Sequence, residues 1–287
     1  MHKLLGLDPP KHPLITLFNW DDITVEEPPE TEVQVSLDFY MISQKVLTSG
    51  AVRYGRNYYD FSEGVMMFVG PGQVVAGTEE TEGEGWALFF HPDLIRKTSL
   101  GKKISEYTFF SYDVHEALHL SEEEKGVITG IVHQIREEYS KNIDIYTQNL
   151  IVSQLEVLLN YTTRFYGRQF ITRTVYNSDL VSRFESDLNT YFDLEKPKLF
   201  GLPTVKKCAK NLGMSSGYLS DMLKQETGKN AQEHIHYLLI DRAKTQLLGT
   251  SQTVSEIAYG LGFEYPQYFS KLFKMKTGMS PAQFRNN

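Results

Sequence analysis

The sequence IAYGLGF at residues 257–263, followed by YFSKLFK at residues 268–274, decides the fold at one end of this 287-residue chain. Ala258 is small enough to let two helices approach closely. Gly262 can end a helix because glycine adopts a left-handed backbone at little cost. Two phenylalanines then lie four residues apart, on one side of a second helix. The pattern predicts a helix-turn-helix whose second helix turns its other face outward.

The pattern is a repeat, because an earlier copy lies upstream. Repeated residues are 49 apart in the first helix of each copy and 50 apart in the second, so the extra residue falls in or just after the turn. Between the copies, residues 231–248 have the apolar spacing of one long helix. This helix would hold the second helix of one copy roughly 34 Å from the second helix of the other copy. That is the distance between successive major grooves on one face of DNA. The first copy contains Val205, Ala209, Leu212, Gly213, Leu219, Ser220, Leu223, Lys224, Thr227 and Gly228; the second contains Val254, Ala258, Leu261, Gly262, Phe269, Ser270, Phe273, Lys274, Thr277 and Gly278.

Charge is distributed unevenly along the chain. The total of −7 argues against nucleic-acid binding only if it is spread evenly. Residues 1–177 hold 15 basic and 25 acidic side chains, a net charge of −10, whereas residues 178–287 hold 14 and 11, a net charge of +3. From Lys198 onward the net charge is +6. A basic tail on an acidic body indicates nucleic-acid binding. Scattered charge on a solvated face gives the same totals, so charge alone leaves both interpretations open.

Composition predicts a soluble protein of two domains. The chain is 41% hydrophobic and 23% charged, which excludes disordered and fibrous classes. No apolar run reaches the roughly 20 residues of a membrane span, and the first residues are too short an apolar stretch for a signal peptide. Cys208 is the single cysteine, which excludes an internal disulfide and fits a reducing cytoplasm.

The first third of the sequence has the pattern of a β domain. Short runs of β-branched and aromatic residues occur at 14–18, 33–42, 66–69 and 86–90. Many short strands with regular turns predict a small barrel or sandwich. The predicted turns are Gly70-Pro71-Gly72 and Glu82-Gly83-Glu84-Gly85.

Two helices are predicted after the strands. Ser121-Glu122-Glu123-Glu124 is a capping box that begins the first helix, and the second follows Asn142. The second helix has an apolar seam with alternating steps of four and three, which suits contact within the chain or across a dimer. Residues 167–177, rich in Arg, Thr and aromatic residues, predict a linker. The seam residues are Ile151, Leu155, Leu158, Thr162 and Phe165.

The segment His115-Glu116-Ala117-Leu118-His119 matches H-E-x-x-H, a zinc-protease motif that needs both histidines on one face of a helix. The capping box at Ser121 begins a helix just after the motif, so we place the motif in a connection and interpret it as a chance match. Residues 50–90 contain no histidine for a metal-binding cupin. We predict no metal, no cofactor and no catalytic residue. A barrel or zinc enzyme is the alternative, which metal analysis distinguishes.

The repeat closely resembles the DNA-binding domain of AraC/XylS-family transcriptional regulators, over about 110 residues from Ser178 to the end. The resemblance is carried by residues 257–263, residues 268–274, Thr277-Gly278-Met279-Ser280-Pro281 and Phe284-Arg285. Residues 64–75 are similar to a strand and turn of the family's cupin-like effector domain.

The resemblance implies a two-domain α+β fold. It places a cupin-like β-barrel with dimerisation helices at 1–166, a linker at 167–177 and an all-α domain with two helix-turn-helix motifs at 178–287. It implies a cytoplasmic, homodimeric regulator that binds double-stranded DNA, activates transcription with RNA polymerase and responds to a small-molecule effector such as a sugar. A constitutive dimeric regulator is the alternative. Five aromatic residues line either an effector pocket or the core: Tyr54, Tyr58, Tyr59, Phe61 and Trp86.

The resemblance also implies which side chains contact DNA. Gln267 suits adenine and Lys271 suits guanine. Asp221 replaces the long polar or basic residue usual at its position, and it can accept from cytosine N4 or repel phosphate. The base-contacting positions are Gly217, Tyr218, Ser220 and Asp221 in the first copy and Pro266, Gln267, Ser270 and Lys271 in the second. The phosphate-contacting residues are Ser215, Ser216, Lys224, Tyr265 and Lys274.

Overall fold

A computed structural model describes residues 2–23, 33–47, 52–54, 57–59, 65–77 and 83–286. The chain divides into two compact units, which we call the sheet unit (residues 1–169) and the helical unit (residues 170–287). The strands are β1 (Ile15–Asn19), β2 (Val33–Ser36), β3 (Tyr40–Leu47), β4 (Val52–Tyr54), β5 (Asn57–Tyr59), β6 (Val65–Val69), β7 (Val74–Gly77), β8 (Gly83–Phe90) and β9 (Leu118–His119). The helices are α1 (Pro92–Ile95), α2 (Ser99–Lys103), α3 (Glu122–Ser140), α4 (Thr147–Thr172), α5 (Thr174–Asp193), α6 (Lys196–Phe200), α7 (Val205–Leu212), α8 (Ser216–Thr227), α9 (Ala231–Gly249), α10 (Val254–Gly260), α11 (Pro266–Thr277) and α12 (Pro281–Arg285).

The sheet unit is built on a five-stranded antiparallel sheet in the order β1-β8-β3-β6-β9. β2 pairs with β7 and β4 pairs with β5 as two separate two-stranded sheets. Consecutive residues of β1, β3 and β8 are buried, so both faces of this sheet are covered, and Phe18, Met41 and Phe89 pack together in one cluster. Among the described strands β1 and β9 are the edges of an open sheet, so the closed cupin-like barrel is not confirmed.

Two turns in the sheet unit test the sequence pattern. The Gly70-Pro71-Gly72 turn is confirmed, and the Gly72 amide donates to the Leu37 carbonyl at 2.9 Å. The turn predicted at 82–85 is wrong from Gly83 onward, because β8 begins there. Gly85 instead allows β8 to lie close to β3, because a Cβ at this position would lie 2.2 Å from the Gln44 carbonyl oxygen.

The capping box at the start of α3 is confirmed. The Ser121 hydroxyl accepts from the Glu124 amide at 3.3 Å, and the Glu124 carboxylate accepts from the Ser121 amide at 2.9 Å. Arg168 of α4 donates to the same carboxylate at 2.5 Å and to the His119 carbonyl at 2.6 Å. Burial opposes ionisation of Glu124, but the hydrogen bonds from Arg168 and Ser121 outweigh it and lower its pKa. These contacts tie α4 to α3 and β9.

The apolar seam of α4 is buried within the chain. All five of its predicted residues are at most 5% exposed, so they pack inside the protein and offer no surface to a second copy. The exposed apolar side of the helix carries Leu150 and Val157 instead, and Tyr146 is exposed just before the helix begins. The dimer interpretation of the seam is therefore wrong, although dimerisation through another face stays a prediction.

Residues 167–177 are helical in the structure. α4 continues to Thr172, and α5 begins at Thr174. Asn177 is fully buried, and its side-chain amide donates to the Phe170 carbonyl at 2.8 Å and to the Glu226 carboxylate at 2.9 Å. The segment that composition marked as a linker is therefore packed helix in the helical unit from Phe170 onward.

The helical unit contains both predicted helix-turn-helix copies, α7–α8 and α10–α11. Their connections span 213–215 and 261–265, which places the extra residue in the turn region as predicted. Ala209 and Ala258 are buried at the helix crossings. Phe269 and Phe273 are fully buried in a core that they share with α9 and α10. No helix in the described part of the chain has the length and hydropathy to cross a membrane.

Candidate nucleic-acid interface

The second helix of each copy, α8 in the first and α11 in the second, is its predicted recognition helix. The second of these, α11, has one buried side and one polar side. Phe269 and Phe273 anchor it in the core, while Gln267, Lys271 and Lys274 are exposed. Gln267 and Lys271 are four residues apart and therefore lie on the same side of the helix. Pro266 begins the helix, where its missing N–H leaves no bond unmade, and Ser270 is half-buried. The predicted base-contacting residues of this copy thus share one accessible face.

Two tyrosines flank the start of α11. Tyr265 is 47% exposed and Tyr268 is 60% exposed, and their rings meet edge to face at 5.7 Å. Tyr265 was predicted as a phosphate contact, whereas Tyr268 was not among the predicted contacts. The register of the repeat is the signal that identifies Tyr268, because it occupies the position of Tyr218 in the first copy.

The first recognition helix, α8, begins with a side-chain cap. The Ser215 hydroxyl accepts from the Tyr218 amide at 3.1 Å, which satisfies one of the free amides at the helix start. Ser215 and four further predicted contact residues are half-buried, and Lys224 is exposed. The four are Ser216, Gly217, Ser220 and Asp221.

Tyr218 departs from its predicted role. Its side chain is only 5% exposed, and its ring meets the Phe170 ring edge to face at 5.1 Å. In this arrangement Tyr218 is a packing residue, and its burial counts against the predicted base contact at this position. The physical reason is that Phe170, 48 residues earlier in the chain, covers this part of α8.

The H-E-x-x-H segment lacks the local structure of a zinc protease. His115 lies in a short 3-10 turn spanning Val114–Glu116, and His119 lies in β9, so no helix holds both histidines on one face. The ligand atoms of Asp113, His115 and Glu116 lie within 4.8 Å of one another. Glu116 is 3% exposed, and its carboxylate accepts from the Asp113 amide at 2.7 Å. That bond closes the turn, which is a structural use of the glutamate.

Trp86 belongs to the core of the sheet unit. It is buried, and its indole N–H donates to the side-chain oxygen of Gln44 at 2.8 Å. This favours the core interpretation over an effector pocket at this residue. The other aromatic side chains of that prediction, Tyr54, Tyr58, Tyr59 and Phe61, fall outside the part of the chain whose side chains the structure describes.

Comparison with known proteins finds a helix-turn-helix family in the helical unit and transcriptional regulators among the relatives of the chain. A family model described as a helix-turn-helix domain matches residues 208–287. An uncharacterised HTH-type transcriptional regulator of Bacillus subtilis, YobQ, is 34% identical over 31% of this chain and 36% of its own length. The HTH-type transcriptional activator RhaR of Yersinia pseudotuberculosis is 28% identical over 37% of this chain and 33% of its own length.

One solved structure illustrates the same extent of similarity. The carboxyl-terminal domain of AraT, a response regulator from Geobacillus stearothermophilus, is 31% identical over 37% of this chain and 84% of that chain, with a TM-score of 0.33. The chain spans about a third of the length of the two curated relatives described above. The similarity to these relatives therefore covers only part of each protein.

Proposed function

We propose that the helical unit is an AraC-type helix-turn-helix DNA-binding domain and that the whole chain is a sequence-specific transcriptional regulator. The observation that carries the proposal is the outward face of α11. Gln267, Lys271 and Lys274 are exposed there, and two buried phenylalanines anchor the opposite side of the helix in the core. A helix of this kind fits the major groove of B-form DNA, whose width admits one α-helix.

Each side chain on this face suits one part of the duplex. The Gln267 amide has a donor and an acceptor to match adenine N7 and N6, and the Lys271 ammonium donates to guanine O6 and N7. Lys274 and the Tyr265 hydroxyl suit phosphate oxygens, which fix the orientation of the protein without reading sequence. The net charge of +6 from Lys198 onward supports attraction to the backbone.

Regulation is proposed to arise from the sheet unit. We infer that this unit binds a small-molecule effector and mediates homodimer formation, and that the protein activates transcription together with RNA polymerase in the cytoplasm. The exposed apolar residues Leu150 and Val157 of α4, with Tyr146 just before the helix, support a dimer surface. The net charge of −10 on residues 1–177 disfavours contact of that part with DNA, which leaves base contacts to the helical unit.

Selection from a pool of random-sequence duplexes tests the DNA-binding function. Full-length protein is incubated with the pool, bound duplexes are recovered and amplified, and the enriched sequences are aligned. We expect a shared motif after a few rounds. If the recovered duplexes stay as random as the input at low salt, the proposal is wrong.

The same selected duplex separates an effector-responsive regulator from a constitutive one. Its affinity for the protein is measured with and without a panel of sugars and other metabolites. A change in affinity for one compound identifies an effector, because an effector must bind two arrangements of the protein with different affinity. Unchanged affinity throughout the panel favours the constitutive alternative.

A further inference from the structure

Charge is arranged in opposite order in the two helix-turn-helix copies. In the first copy α7 contains three lysines and no acidic residue, a net charge of +3, whereas α8 contains Asp221, Lys224 and Glu226, a net charge of −1. In the second copy Glu256 is the one charged residue of α10, which gives that helix a net charge of −1. The helix α11 contains three lysines and no acidic residue, a net charge of +3. The positive helix is therefore the leading helix in one copy and the recognition helix in the other.

The recognition helix of the first copy offers few groups that can reach a base edge. Gly217 has no side chain where the second copy has Gln267, and Asp221 is a carboxylate where the second copy has Lys271. Tyr218 is buried, whereas its counterpart Tyr268 is exposed. Direct readout depends on long donors and acceptors on this face, and bidentate contacts give most of the discrimination. α8 thus lacks the side chains that give α11 its reading capacity.

The leading helix of the first copy offers positive charge instead. Lys206 and Lys210 are exposed and lie four residues apart, on one side of α7. Neither of them forms an ion pair with an acidic residue in the described part of the chain. Lys207 is engaged elsewhere, because its ammonium lies 5.0 Å from the Tyr191 ring centre and 5.1 Å from that of Phe200.

The matching positions of α10 show that this charge is not a general feature of the repeat. Lys206, Lys207 and Lys210 correspond to Ser255, Glu256 and Tyr259. The Thr253 amide donates to the Glu256 carboxylate at 2.6 Å, and this bond lowers the pKa of Glu256, which keeps the group negative. A negative group at the start of α10 repels phosphate, so the leading helix of the second copy is unsuited to the role available to α7.

We propose that the two copies divide DNA recognition between them: α11 reads the base sequence, and Lys206 and Lys210 of α7 hold the phosphate backbone at the first copy. This inference rests on the proposed DNA-binding function and deepens it. Lysine is a flexible point charge that binds phosphate without reading sequence. The first copy would then add affinity and salt dependence, and the second copy would set specificity.

The enriched motif from the random-duplex pool tests this division directly. We expect one block of specified bases per bound chain, with unspecified positions about 10.5 base pairs away, where α8 would lie one helical turn along the duplex. A dimer repeats that same block, whereas reading by α8 adds a second block of different sequence. Two blocks of different sequence and comparable information content would overturn the inference but leave the DNA-binding function intact.

Matched double variants test the roles of the two copies. Gln267→Ala/Lys271→Ala should erase the motif, whereas Ser220→Ala/Asp221→Ala should leave it unchanged. Lys206→Ala/Lys210→Ala should keep the motif. For this variant the slope of log affinity against log salt concentration should be shallower by about 2, roughly one for each lost phosphate contact. Lys206→Arg/Lys210→Arg should restore the wild-type slope because the charge is retained.

The outcomes separate the inference from the function on which it rests. Thermal melting of each variant confirms that it is folded before DNA is added. If the alanine pair in α7 leaves the salt slope unchanged, or if the pair in α8 loses the motif, the division of labour is wrong. If no duplex is enriched by the wild-type protein, both proposals are wrong.

Discussion

Tyr218 and Tyr268 occupy the same position in the two helix-turn-helix copies, yet Tyr218 is 5% exposed and Tyr268 is 60% exposed. The difference has a local cause, because the Phe170 ring packs against Tyr218 at 5.1 Å, whereas the ring that meets Tyr268 is that of the exposed Tyr265. One position of the repeat therefore serves packing in the first copy and lies on the accessible surface in the second.

Truncation of the two tyrosines should affect stability differently. Tyr218→Ala removes a buried aromatic ring and should lower the free energy of unfolding by about 3 kcal/mol. Tyr268→Ala changes a surface residue and should alter it by less than about 0.5 kcal/mol. Urea unfolding followed by circular dichroism measures both, and equal losses would contradict the burial difference.

Removal of the Lys271 ammonium should weaken specific DNA binding. Lys271→Ala is expected to lose on the order of 1–3 kcal/mol of binding free energy for the selected duplex, because a donor to a base edge disappears. A gel-shift titration measures the change. Lys97→Ala, an exposed lysine of the sheet unit, is the matched control and should bind like the wild type. Equal affinities for the Lys271 variant and the control would remove Lys271 from the interface.

Binding should be strongly dependent on salt despite the acidic total charge. Each lysine that contacts phosphate releases counterions, so log affinity falls linearly with log salt, with a slope of about −0.9 for every contact. Titrations over a range of potassium chloride concentrations measure the slope. A flat response would contradict the lysine–phosphate contacts proposed for the helical unit.

Two glycines with positive φ should respond differently to alanine. At Gly278 (φ +82°) a Cβ meets open space, so Gly278→Ala should cost about 1 kcal/mol of backbone strain. At Gly262 (φ +91°) a Cβ would lie 2.8 Å from the Gly201 carbonyl carbon and 3.0 Å from the Pro197 carbonyl oxygen. Gly262→Ala should therefore lower the melting temperature more than Gly278→Ala. The reverse order would contradict the close packing of α6 against the α10–α11 turn.

His234 should make the helical unit less stable in mild acid. Burial lowers the pKa of His234 below its ordinary value of 6.5, although Glu185 acts in the opposite direction. The folded state then binds fewer protons than the unfolded state, so stability is complete above about pH 6.5 and declines as the pH falls toward the lowered pKa. Melting temperatures between about pH 5 and 8 measure this decline.

The variant His234→Gln should flatten the pH dependence, because it removes the group that titrates. His133→Gln is the matched control, since His133 is an exposed residue of α3 in the sheet unit. A variant at His234 that keeps the full decline with pH would assign the effect to other groups, such as His236, whose pKa burial also lowers.

The sequence predicted the helical unit well because its determinants are local. The spacing of Ala258, Phe269 and Phe273 and the turn glycines specify each copy within about 25 residues. The fate of Tyr218 was not predictable in this way, since it depends on Phe170 in a distant helix. Gly85 was predicted to lie in a turn. Its actual role depends on contact with the Gln44 backbone, which is distant in the sequence, so the residues around Gly85 do not indicate it.

The helix α9 has a consequence for how this protein can change over time. Its 19 residues form one continuous helix about 28 Å long between the two copies, and Asn230 and Glu233 form the capping box at its start. Insertion or deletion of a single residue would rotate one copy by about 100° relative to the other. Point substitutions on the outer faces leave that geometry intact. Descendants of this chain are therefore expected to acquire new binding sites by exchanging side chains, while the length of α9 stays constant.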